Sequence, residues 1–255
     1  MARNPSLRRN AAIASAALLL LGVGCRAGTT DAPPAGSRPV QFHAADGTRL
    51  EGRVFGSGDV GVVLAHMFPA DQRSWWPFAS TLAGDGYRVL TFDFRGYCPG
   101  GSAGGNAGCS GGSKDIPKIS EDVVAAATYL RHTGVSRVML VGASMGGTAS
   151  LLAAAQPEVD PSAIVTLSAP LSFEGLTIDP TTLQNVETPK LFIAGTGDAT
   201  AAQAAQSLYD QALGSRRVEI EPTDDHGTDL LTGTRGEEVQ KLITNYLAQF
   251  RGGGS

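Results

Sequence analysis

Cysteine is scarce in this chain: three residues, Cys25, Cys98 and Cys109, cannot supply the two CxxC pairs of a zinc ribbon. Basic charge is short as well. Twenty Lys and Arg stand against 24 Asp and Glu, for a formal net of −4, which excludes a protein built to coat nucleic acid. The apolar stretch from Ala11 to Val23 has 13 residues, fewer than the roughly 20 that a bilayer-spanning helix needs. Glycine is plentiful at 33, yet it is neither periodic nor matched by enough proline for collagen. What remains is 255 residues, 42% of them hydrophobic, enough to bury a sizeable core and too apolar to be disordered throughout.

The first residues read as a targeting segment. Arg3, Arg8 and Arg9 make a positive start, no acidic residue precedes Asp31, and the apolar stretch has the length of a signal-peptide core. It ends Leu21-Gly22-Val23-Gly24-Cys25, which resembles the lipobox of bacterial lipoproteins, with Gly22 where that family usually has Leu. The resemblance implies removal of residues 1–24, lipidation of Cys25 and a membrane anchor; cleavage after Ala27 and plain secretion is the alternative. Losing residues 1–24 takes away three arginines and no acid, leaving an exported body at −7. Residues 25–38 are small, polar and proline-bearing, the composition of a tether, and residues 252–255 form a flexible tail.

Between these limits, over 39–251, short β-rich runs alternate with longer helical ones. Strands are expected at 40–43, 50–55, 60–66, 87–94, 137–141, 163–168, 190–194 and 217–221. Helices are expected at 72–84, 119–133 (with Ser120 as N-cap), 145–156, 199–213 and 236–250. Such alternation requires crossover connections, so the fold class is α/β: one domain, a mostly parallel central sheet and helices on both faces.

The chemistry is concentrated in Gly142-Ala143-Ser144-Met145-Gly146. A G-x-S-x-G that follows an apolar strand and opens a helix has the context of a nucleophile elbow, whose turn is too tight for Cβ-bearing neighbours of the serine. A serine needs a base to take its proton, and the base needs an orienting carboxylate. Asp198 and His226 both follow the carboxyl ends of expected strands, the edge where Ser144 also emerges. The rival acid is Glu174, after the strand ending near Ser168. His43 and His132 have bland positions in a strand and at a helix end.

With these residues in place, the chain resembles the α/β-hydrolase superfamily over roughly residues 40–250. The elbow carries the resemblance, together with Phe92-Asp93-Phe94-Arg95-Gly96-Tyr97 and with His66-Met67-Phe68-Pro69, where Met67 replaces a usual glycine. The resemblance implies an oxyanion hole made by the backbone N–H groups of Phe68 and Met145, with Met67 as the alternative to Phe68, and a structural role for His66. Serine at the elbow excludes the epoxide hydrolases and haloalkane dehalogenases, which place Asp there. No metal and no organic cofactor is implied.

Family members have a short turn where this chain has residues 96–113, with eight glycines in eighteen positions. Export would oxidise Cys98 and Cys109 to a disulfide; two free thiols are the alternative. Trp75 or Trp76 packs into the core or lines the pocket wall, and Asp93 and Arg95 hold the turn after their strand. Only Ala169 to Thr188 connects the sixth strand to the next, with one helical turn at 181–186, so the cap is minimal or absent and the site open. The reading is an exported, lipid-anchored serine hydrolase acting on small-molecule or surface-exposed carboxylic esters. A thioesterase or peptidase with the same triad is an alternative, as is a non-catalytic surface-anchored binding lipoprotein.

Overall fold

The computed structural model describes residue 1 and residues 32–98 and 109–252. Cys25, the expected signal segment and the interior of the 96–113 insertion lie outside the described residues. Pro34 opens the compact unit that carries the sheet and helices described below. Its first residues are docked: Arg53 Nε donates to Ser37 Oγ at 3.0 Å, and Arg38 already pairs with Val54.

Eight strands form the central sheet. They are β1 (Arg38–His43), β2 (Arg49–Phe55), β3 (Val60–Ala65), β4 (Arg88–Phe92), β5 (Arg137–Ala143), β6 (Ile164–Leu167), β9 (Lys190–Gly195) and β10 (Arg216–Glu221). Their order is β1-β2-β4-β3-β5-β6-β9-β10, antiparallel from β1 to β4 and parallel from there on. Consecutive side chains on a strand point to opposite faces, and the core divides accordingly. Val63 and Ala65 pack with α2 (Ile119–His132) and α3 (Met145–Ala154), and Phe192 and Ala194 extend that face under α5 (Ala199–Gln211). Val62 and Leu64 pack on the other face with α1 (Trp76–Gly84) and α6 (Gly236–Ala248). β3 and β5 are neighbours whose chains leave toward opposite faces, α1 on one and α3 on the other. The crevice outside their carboxyl ends is where such sheets place ligands.

Two local expectations change. Ser120 does not cap α2: a 3-10 turn at Ile116–Lys118 runs directly into the helix, making Lys118 the cap position without a side-chain bond. The link from β6 to β9 holds a small hairpin, β7 (Ser172–Phe173) and β8 (Leu176–Thr177), before the short helix α4 (Pro180–Gln184). Glu174 and Gly175 join its strands with φ of 45° and 86°, the left-handed backbone that a two-residue hairpin turn demands. This hairpin and α4 are all the cap there is among the described residues. Among those residues, no helix is long and apolar enough to cross a membrane.

Candidate active site

Ser144 sits at the junction of β5 and α3 with φ 49° and ψ −121°, a conformation disfavoured for a residue with a Cβ. Its neighbours show why the turn is spelled with glycine. A Cβ on Gly142 would lie 2.2 Å from the Gly146 carbonyl oxygen, and one on Gly146 would lie 2.4 Å from the Ala65 carbonyl oxygen. The first turn of α3 thus lies directly on the end of β3. The turn holds Ser144, 8% exposed, at the carboxyl edge of the sheet.

Asp198 ends the loop after β9 and uses its two carboxylate oxygens separately. Oδ1 accepts from the Ala201 N–H at 3.4 Å and so caps α5, while Oδ2 meets His226 Nδ1 at 2.5 Å. One carboxylate is thereby tied to a helix end and to an imidazole. His226 is carried by the loop after β10, and its side chain keeps 43% of its surface exposed against 18% for Asp198. Ser144, Asp198 and His226 line one cleft of about 260 Å³, with Phe68, Ser168, Pro170, Phe173, Thr200, Ala201 and Ala204. Ser144 Oγ has no hydrogen-bond partner among the described residues. Catalytic contacts of this kind are often long in an unliganded site. Glu174, the rival acid, is exposed at the hairpin turn, whereas His226 is bonded to Asp198.

Of the two expected oxyanion donors, Met145 directly follows Ser144 and Phe68 lines its cleft. Met145 is the first residue of α3, so its N–H has no acceptor within the helix. Phe68 follows a peptide whose orientation is set by His66. His66 Nε2 accepts the Phe94 N–H at 3.2 Å, which assigns the proton to Nδ1, and Nδ1–H donates to the Met67 carbonyl at 2.9 Å. Across the trans Met67–Phe68 peptide the N–H points opposite to that carbonyl, and no acceptor occupies it among the described residues. His66 is fully buried, and desolvation lowers its pKa to about 4, so it stays neutral at ordinary pH. It has the structural role expected of it.

The surroundings are equally specified. Asp93 accepts from Gln72 N–H at 2.9 Å and Gln72 Nε2 at 2.6 Å, yet burial pushes its pKa up to about 7. Arg95 grips the buried Asp122 through Nη2 at 2.7 Å and Nε at 2.9 Å and reaches Asp46 and Glu121. Both residues brace the turn after β4, as expected. Trp75 and Trp76 are core residues at the start of α1, and neither lines the cleft. Cys98 and Cys109 are bonded at 2.17 Å, and the Cys109 carbonyl accepts from Arg49 at 2.9 Å, stitching the insertion to β2. Sequence reasoning missed Phe173, which meets Phe68 with ring centroids 5.8 Å apart beside the cleft. The only available signal was its place before Glu174-Gly175.

Residues 61–188 match the family described as alpha/beta hydrolase fold, half of the chain. The chain belongs to that family. As an α/β hydrolase it is similar to the uncharacterized protein YfhR of Escherichia coli O157:H7, 24% identical over 84% of this chain and 81% of that one. Among solved structures, an esterase of Pyrococcus furiosus superposes with a TM-score of 0.71 at 18% identity, covering 85% of this chain and 93% of the other. A dienelactone hydrolase from Anabaena variabilis gives a TM-score of 0.67 at 21% identity, over 84% and 97%. At these identities the structural likeness is one of fold.

Proposed function

We propose that the protein is an exported serine hydrolase that cleaves carboxylic esters through an acyl-enzyme. The observation that carries this reading is the Asp198–His226 contact of 2.5 Å in the same cleft as a serine held at φ 49°. Asp198 keeps the proton of His226 on Nδ1, leaving Nε2 as the base that takes the proton of Ser144 Oγ. Ser144 then attacks the ester carbonyl, and the N–H groups of Met145 and Phe68 receive the developing oxyanion. One such donor is worth about 10²–10³ in rate. His226 returns the proton to the leaving alcohol, and water, activated by the same base, releases the acid.

Apart from Asp198 and His226, the cleft residues are uncharged, which suits neutral esters rather than carboxylate-bearing substrates. Export rests on the arginine-led apolar segment ending at Cys25 and on the oxidised Cys98–Cys109 pair. The test is labelling of the purified protein by a fluorophosphonate, with hydrolysis of p-nitrophenyl esters of graded acyl length. The expectation is one labelled serine, Ser144, and measurable turnover. A folded protein that neither labels nor turns over would be a binding module on the same scaffold. For the anchor, radiolabelled palmitate should enter the protein in cells and fail to enter the Cys25→Ala variant.

A further inference from the structure

Met67 touches both halves of the site through different groups. Its carbonyl accepts from His66 Nδ1 and thereby aims the Phe68 N–H. Its side chain turns toward the loop that carries His226. The Thr228 hydroxyl donates to Met67 Sδ at 3.6 Å, and a Cβ on Gly227 would lie 2.4 Å from the same sulfur. Gly227 directly follows His226, has φ +56°, and donates its N–H to Ser168 Oγ at 3.1 Å. The missing side chain of Gly227 therefore leaves the space that the thioether of Met67 fills. A glycine at 67 would empty that space, and a Cβ at 227 would force the sulfur out of its place. Methionine suits such a joint, because its unbranched chain and polarisable sulfur fit irregular gaps and accept weak hydrogen bonds.

Resting on the serine-hydrolase reading, we propose that Met67 is a positioning residue that sets the catalytic histidine relative to the oxyanion donor. The base and the Phe68 N–H belong to loops after different strands, β10 and β3, which are not neighbours in the sheet. Their spacing must nevertheless hold while charge moves from the Ser144–His226 pair to the oxyanion. Met67 spans the interval with one side chain. Ser168 buttresses Gly227 from below, and Asp198 fixes the imidazole by its far nitrogen, so Met67 supplies the contact on the oxyanion side.

The test uses steady-state hydrolysis of a p-nitrophenyl ester by the whole exported chain. Met67→Gly should lower kcat by about tenfold to a hundredfold, the cost of roughly 1 Å misplacement, with KM changed less than threefold. Met67→Leu keeps the volume and should recover most of the lost turnover. A double-mutant cycle then separates positioning from general packing. Gly227→Ala should lower kcat in the parent, through the positive φ and the displaced sulfur, and Met67→Ala should restore the part that is due to the sulfur. The idea is overturned if Met67→Gly keeps parental kcat, or if the two substitutions act additively on kcat. Should Met67→Gly fail to fold, as judged by thermal melting, the Met67→Ala/Gly227→Ala cycle alone decides. If the parent protein neither hydrolyses esters nor labels with fluorophosphonate, the serine-hydrolase reading itself fails, and this proposal with it. Loss of the proposal alone shows as an active parent with an indifferent Met67.

Discussion

His66 and His226 are the same residue type at one site, and the fold commits their ring nitrogens differently. His66 is buried, with one ring nitrogen accepting the Phe94 N–H and the other donating to the Met67 carbonyl, so no lone pair or proton is left for chemistry. His226 stands half open, with Nδ1 on Asp198 and Nε2 uncommitted among the described residues. What separates the framework imidazole from the proposed base is therefore which nitrogens the protein has already occupied. Desolvation reinforces the difference by keeping His66 neutral.

The sharpest way to break this contrast is to remove each group in turn. Ser144→Ala and His226→Ala should each cut ester turnover on the order of 10⁶, by analogy with a protease triad, with melting temperatures near that of the parent. Near-parental turnover in either folded variant would remove that residue from the mechanism. Asp198→Asn should cost on the order of 10⁴ in kcat, the value for the best-studied triad, because it deprives His226 of the acceptor that sets its tautomer. Glu174→Gln should change kcat less than twofold. The opposite ranking would transfer the acid role to the hairpin turn.

His66 should show itself in stability and its pH dependence. Its pKa falls from 6.5 in the unfolded chain to about 4 in the fold, so between those values the unfolded state binds more protons. Stability should drop as pH falls through that window, by about 3 kcal/mol from this one group. Asp93, with its pKa raised to about 7, contributes in the opposite sense over an overlapping range. The informative quantity is thus the difference between parent and His66→Asn in urea unfolding at pH 7, 5.5 and 4.5. That difference should shrink toward acid; a constant one would mean His66 titrates normally. Cys98→Ser/Cys109→Ser should act on stability and not on chemistry. Turnover should persist while Tm falls by about 6–10 °C, the yield of closing a short loop on the chain-entropy model. Free alkylation of both thiols in unreduced protein would show that no bridge forms.

Most of this arrangement was legible because it is written locally. The strands at 60–66 and 137–141 announce themselves by continuous apolar runs, and the elbow by glycines whose steric reason lies within a few residues. Asp198 and His226 could be found because parallel strands deliver their ends to one edge. The hairpin at Ser172–Thr177 could not, since two-residue strands carry no period and Glu174 is an uncommon choice for a left-handed position. Ser120 misled because a capping residue is informative only if the helix begins there, and the turn at Ile116–Lys118 moved the start. The fit of Met67 against Gly227 spans 160 positions of chain and has no local signature.

The bridge between Cys98 and Cys109 also has an architectural meaning. The chain departs from the carboxyl edge at one cysteine and returns at the other with Cα atoms 4.3 Å apart. To the sheet, the covalent tie makes Cys98 and Cys109 a single point of attachment. Because the entropy of closing a loop grows only logarithmically with its length, segments of different size could be exchanged there without disturbing β4 or α2. The cysteine pair thus marks a point at which the length of this hydrolase chain can vary while β4 and α2 stay as they are.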